Sequence, residues 1–229
     1  MVLRLLTASA LAATLGPAAV ASAQPTIAPL SQPCYVAAQP NQTQPVAISA
    51  SGFAPYAYID VFVDNVLQTP GPGSAPPQAD AAGNVTGSVP APYIPFGVHR
   101  FTLRLTEQAN QNDSASTIGW VTALSVEQIP AQARTRARVR FKGRGFIGAG
   151  PVYAHYVYKG HSHKTVRVAL PRGGCGAFSR KMRQFPFRHS PKVGTWTIQF
   201  DQQRHYTPAP DLSARLTVKV NRAIHGRKR

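Results

Sequence analysis

The stretch Val139-Arg140-Phe141-Lys142-Gly143-Arg144-Gly145-Phe146 decides how the chain is read, because Val46-Ala47-Ile48-Ser49-Ala50-Ser51-Gly52-Phe53 follows the same plan 93 residues earlier. In each copy alternating apolar residues run into a Gly-Phe turn. A second apolar-rich segment then leaves it, with Tyr58, Val61 and Val63 in the first copy and Tyr153, Tyr156 and Tyr158 in the second. Alternation with period two predicts half-buried strands. The glycine lets the backbone bend where a Cβ would clash, and the phenylalanine turns into the core beyond it. A shift of this size is the length of a domain.

Working outward, the repeat divides the chain of 229 residues. Residues 1–23 read as a cleaved signal peptide, with Arg4 in the n-region, a small apolar stretch to Val20, and Ala21-Ser22-Ala23 at the cleavage point. Gly16-Pro17 interrupts a run already shorter than a bilayer span, so the mature chain is expected to carry no transmembrane segment. Gln24 to Gln32 is expected to be a loosely held leader. Residues 33–127 form the first domain, Glu127 to Pro130 a short stiff junction, residues 131–222 the second domain, and residues 223–229 a basic tail. Short alternating segments separated by turn signals, without helical periodicity, predict an all-β chain of two tandem antiparallel β-sandwiches. In the second copy Lys159-Gly160 takes the turn position of Asp64-Asn65, and Gly194 to Phe200 matches Gly97 to Leu103.

Charge is divided unevenly between the halves. Residues 128–229 hold 22 of the 25 Lys and Arg residues and two of the eight acids, whereas residues 24–127 hold Arg100 and Arg104 against six acids. A strongly basic half points to a polyanionic partner. Arg134, Arg136, Arg138, Arg140, Lys142 and Arg144 alternate with packed residues, so the opening strand of the second domain is expected to present six cations on one side. Same-face residues repeat every ~6.6–6.8 Å, a spacing suited to teichoic acid, acidic polysaccharide or nucleic acid. Arginine adds a fork that grips phosphate or carboxylate in two places. The competing reading is a solvated edge strand guarded by charge against aggregation.

The remaining candidates are weaker. His161 and His163 have ligand spacing, and His155 can approach from a neighbouring strand to complete a metal site, although the surrounding cations oppose a divalent ion. Cys34 and Cys175 lie one in each half. An exported chain commonly oxidises an even cysteine count. A bridge, however, needs Cα atoms within ~7 Å, whereas a head-to-tail tandem is expected to hold Cys34 away from the second domain. One intramolecular bridge, two buried thiols and bridges to a second chain all stay open. No motif supports catalysis: Asp201 and Asp211 flank a loop without fixed spacing, and Cys175 with His161 or His163 is the one conceivable nucleophilic pair. No cofactor and no small-molecule substrate are implied.

The Gly-Phe turns at Ser51-Gly52-Phe53 and Gly143-Arg144-Gly145-Phe146, with the late Gly194-x-Trp196-Thr197-x-x-Phe200 strand, resemble bacterial immunoglobulin-like extracellular domains of the IPT/TIG kind. The whole chain is similar to small exported actinobacterial proteins. That resemblance implies a spacer or binding platform, and it transfers no functional residue. Together with the signal segment and the basic second half, the chain is expected to be an exported, non-enzymatic cell-envelope protein that binds an anionic polymer. The alternative is a copper-carrier-like metal-binding protein using the histidines, and a third is a hydrolase with an unrecognised site.

Overall fold

The computed structural model describes residues 24–69, 75–210 and 212–222. Residues 1–23, where a signal peptide is expected, residues 223–229, where a basic tail is expected, Asp211 and part of the loop from Thr69 to Pro77 lie outside them.

The described chain is all strand, turn and loop. In the first domain β1 (Thr26–Ile27), β4 (Pro45–Ser51) and β7 (Val85–Pro90) make one sheet. The other contains β2 (Tyr35–Gln39), β3 (Gln42–Thr43), β5 (Ile59–Val63), β6 (Val66–Leu67), β8 (Val98–Glu107) and β9 (Ser114–Ala123), in the order β3-β2-β9-β8-β5-β6. In the second domain β10 (Ser125–Ile129), β11 (Arg138–Arg144) and β14 (Phe178–Arg183) pair as β10-β11-β14. There β12 (Val152–Tyr158), β13 (His161–Ala169), β15 (Gly194–Asp201) and β16 (Ala214–Val220) pair as β13-β12-β15-β16. Two sheets with these strand orders are the immunoglobulin arrangement, A-B-E against C′-C-F-G. The molecule is a tandem of two immunoglobulin-like sandwiches.

The repeat holds strand by strand. A shift of 93 residues carries β4 onto β11 and β7 onto β14 with identical bounds. It carries Gly52 (φ 90°) onto Gly145 (φ 86°), and Phe53 onto Phe146, both buried. It also carries Gly83 onto Gly176. Each of these two glycines has positive φ, and a Cβ on either would stand 2.2 Å from the carbonyl oxygen of the turn phenylalanine. Phe53 and Phe146 in turn donate their backbone N–H to Gly83 and Gly176. The Gly-Phe turn is therefore clamped by a second glycine across the sheet, and side chains are excluded there by distance as well as by φ. Asp64-Asn65 and Lys159-Gly160 both have two consecutive positive φ values, which suits a tight hairpin.

Three boundary expectations change. β10 pairs with β11 from Ser125↔Arg144 to Ile129↔Arg140, so Glu127 belongs to the second domain and Leu124 alone joins the sandwiches. Apolar residues recur from Val121 to Val126 across the switch of sheet, so the sequence carries no break there. β1 pairs with Ser51 and Ala50, and Leu30 packs on the first core, so the leader is part of the first sandwich. A two-residue strand carries no periodicity from which to read it.

The domains are also joined covalently. Cys34 and Cys175 form a disulfide, with Cα atoms 5.1 Å apart across 141 residues of sequence. Cys34 does not stand away from the second domain as a head-to-tail tandem predicts, and strand direction is the reason. β2 runs parallel to β9, Tyr35 lying level with Val121, so Cys34 sits a few residues from the junction at Leu124. On the other side the Cys175 carbonyl accepts the Gly145 N–H, which places the loop beside the second Gly-Phe turn.

Candidate polyanion-binding face

β11 is built by strict alternation: Val139, Phe141 and Gly143 are buried, while Arg138, Arg140 and Lys142 are exposed and Arg144 is half-buried. Phe141 packs against Phe200, ring centroids 5.3 Å apart, which fixes the strand's inner side. The outer side must then carry the cations.

The six-residue ladder is not observed. Arg134 and Arg136 lie in the turn before β11, where Ala137 donates its N–H to the Arg134 carbonyl, and the strand begins only at Arg138. Nor is β11 the opening strand or an edge. It lies between β10 and β14. The register with β14 brings in cations that the sequence reading missed: Arg138 opposes Arg183 and Arg140 opposes Lys181. Directly paired residues share a face, so Arg138, Arg140, Lys142, Arg144, Lys181 and Arg183 form a two-strand lattice with rows ~4.7–4.9 Å apart. Basic residues on Phe178-Ser179-Arg180-Lys181-Met182-Arg183 were legible, but their pairing with β11 was not.

One acid faces this lattice among the described residues. Glu127 lies opposite Lys142, and their charged groups are 3.6 Å apart, with both side chains about half exposed. Asp201 is buried on the other sheet and does not neutralise this face. The face continues around the open edge of the sandwich into a groove of about 1090 Å³ between β13 and β14, where Arg167, Arg172 and Arg180 join Lys142 and Arg144.

The histidines do not converge. His155 is fully buried: Nδ1 lies 2.8 Å from Thr165 Oγ1, and Nε2 lies 3.1 Å from both Asp201 Oδ1 and the Gln203 carbonyl. Gln199 Nε2 donates to the other Asp201 oxygen. This network lies under the loop after β15, whose Tyr206 ring stands 5.8 Å from the imidazole. His161 and His163 are exposed on β13, and His163 packs on Trp196 instead. Among the described residues no three His, Cys, Asp or Glu side chains are placed to hold a metal. Both ring nitrogens of His155 are already occupied, so the His155, His161, His163 site is not assembled. The pairing of Cys175 with a histidine as nucleophile also falls, because its sulfur is in the disulfide.

No protein-family model and no curated protein matches the sequence. Among solved structures, bovine butyrophilin is 8% identical with a TM-score of 0.30, covering 87% of this chain and 100% of its own. Titin Ig tandem domains A164-A165 are 8% identical with a TM-score of 0.24, covering 86% of this chain and 97% of theirs. A tetra-tandem repeat from the extending region of a large adhesion protein is 12% identical with a TM-score of 0.26, and this chain, 86% covered, spans about half of it (48%). At these scores the immunoglobulin-like assignment stands on strand order and register rather than on likeness. Among the described residues no helix is long and apolar enough to cross a membrane.

Proposed function

We propose that this is an exported, non-enzymatic binding protein whose second domain adheres to an anionic envelope polymer through the β11/β14 face. The observation that carries the reading is the pairing of like charges. Arg138 opposes Arg183 and Arg140 opposes Lys181 in strict register. Such cross-strand pairs destabilise a sheet. A solvated face that merely avoids aggregation is served by mixed charges, and β11 is already shielded by strands on both sides. An inter-domain disulfide fits an oxidising compartment, which supports export. The first domain acts as a spacer or protein-contact module; Ile118 and Trp120 stand half exposed on its outer sheet.

The test is co-sedimentation with purified cell walls at low salt. The wild type is expected in the pellet and is released by a few hundred millimolar salt, as counterion release requires. Arg138→Gln/Arg140→Gln/Lys181→Gln/Arg183→Gln is expected in the supernatant. Equal retention of the two proteins refutes the assignment.

A further inference from the structure

Beyond β14 the chain crosses from one sheet to the other at the base of the second domain. Gln184 and Phe185 donate their N–H groups to the carbonyls of Ala137 and Thr135. Phe187 then packs against Trp196 with the ring planes inclined at 50° and the centroids 5.2 Å apart, and the His163 ring also lies against the indole at 5.3 Å. The indole is held in place by its Nε1–H, which donates to the Lys192 carbonyl at 2.9 Å. Over this aromatic floor opens a pocket of about 300 Å³. That is the low end for ligand pockets, the size of one small ring compound.

The walls are cationic. Lys164, Arg188 and Lys192 line the pocket together with the imidazoles of His163 and His189, and no carboxylate lines it among the described residues. Lys164 spends one donor on the Pro186 carbonyl at 2.7 Å, which aims the ammonium and leaves two donors. Neither Arg188 nor Lys192 has an acidic partner among the described residues. Arg183, the end of the charged lattice, is four residues from Phe187, so their Cα atoms are at most about 14 Å apart.

We propose that this pocket binds one acidic sugar unit: an apolar ring face on Phe187 and the rim of Trp196, its carboxylate or phosphate between Arg188, Lys192 and Lys164. The choice of ligand rests on the polymer-binding reading, and the pocket gives that polymer a unit-specific anchor beside the non-specific lattice. An apolar floor alone takes any ring, and cations alone take any anion. Together they select a ring that carries charge.

Trp196 provides the readout. The chain has two tryptophans, so Trp120→Phe leaves Trp196 as the only one. In that background, sodium glucuronate at constant ionic strength is expected to give a saturable change in emission, and glucose none. Arg188→Gln/Lys192→Gln is expected to weaken the titration on the order of tenfold or more, since hydrogen bonds to a charged group are the strong ones. Both side chains lie in exposed positions or near them, and an unchanged melting temperature confirms folding; His189→Ala serves as a second variant. No saturable change, an equal response to glucose, a response to benzoate alone, or an unaltered titration in Arg188→Gln/Lys192→Gln overturns the proposal. The two readings fail separately: the four-glutamine lattice variant is expected to keep the glucuronate titration while losing cell-wall retention. Retention without titration refutes the pocket only.

Discussion

Tyr156 offers the sharpest test of how the second core is put together. It lies on β12 with Phe185 and Phe187 at 5.8 and 5.5 Å, fully buried, and its hydroxyl has no hydrogen-bond partner among the described residues. Burial pushes the phenol above its ordinary range. Tyr156→Phe keeps the ring and removes the orphan group. An unsatisfied buried hydroxyl costs ~1–3 kcal/mol, so the variant is expected to be more stable by about that amount at pH 7. For a domain of this size that is about 4–8 °C in Tm per kcal/mol. The pH dependence gives a second measure. The unfolded chain ionises this tyrosine near pH 10 while the native state keeps the proton. Native protein therefore binds more protons above pH 10, and stability falls as pH rises, with no such loss below it. By pH 11 the wild type has lost about 1.4 kcal/mol that the variant keeps. Urea unfolding of both proteins at pH 7 and pH 11, followed by circular dichroism, measures the two quantities. A variant less stable than the wild type at pH 7, or a difference that does not widen by pH 11, refutes the reasoning.

Three further outcomes are expected. Lys181→Glu gives Arg140 an opposite charge across the strand pair and should stabilise the second domain by ~0.5–1 kcal/mol while weakening cell-wall retention; a lower melting temperature at low salt means the two side chains do not share a face. Gly176→Ala forces a Cβ to 2.2 Å from the Phe146 carbonyl oxygen, whereas Gly173→Ala has positive φ but open space. The first should be worse than the second by ~2 kcal/mol or more in chemical denaturation, and equal costs would show that φ alone governs the turn. Cys34→Ser/Cys175→Ser leaves Leu124 as the single link, so small-angle scattering should report a larger radius of gyration, with ~2–4 kcal/mol lost from thermal stability. An unchanged radius means the domains hold each other without the bridge.

The repeat was legible because both of its ingredients are local: a period of two and a glycine before a phenylalanine. Those features placed β4, β11 and the turns, and with them the sandwich class. β7 and β14 obey the same 93-residue shift, but Gly83 and Gly176 were not matched, because their role depends on a phenylalanine carbonyl some 30 residues away in sequence. Cross-strand register is likewise non-local. Six cations were placed on one strand because a sequence shows only its own alternation, while the structure divides the face between β11 and β14. The Cys34–Cys175 bridge turned on the parallel pairing of β2 with β9, a direction that no residue pattern encodes. His155 illustrates the opposite error: spacing suggested a ligand, but Thr165, Asp201 and Gln203 satisfy both nitrogens in the interior.

The central claim is that the lattice acts as a set of anion contacts, and the salt dependence of binding measures it most directly. With Lys142 engaged by Glu127, five cations remain free to neutralise polymer charge. On a flexible phosphodiester chain at ~0.7 counterions released per contact, the lattice should contribute about −3.5 to the slope of log K against log salt. Arg138→Gln/Arg140→Gln/Lys181→Gln/Arg183→Gln removes four of those contacts and should flatten the slope by about 2.8. A slope near zero for the wild type, or the same slope in both proteins, contradicts the account.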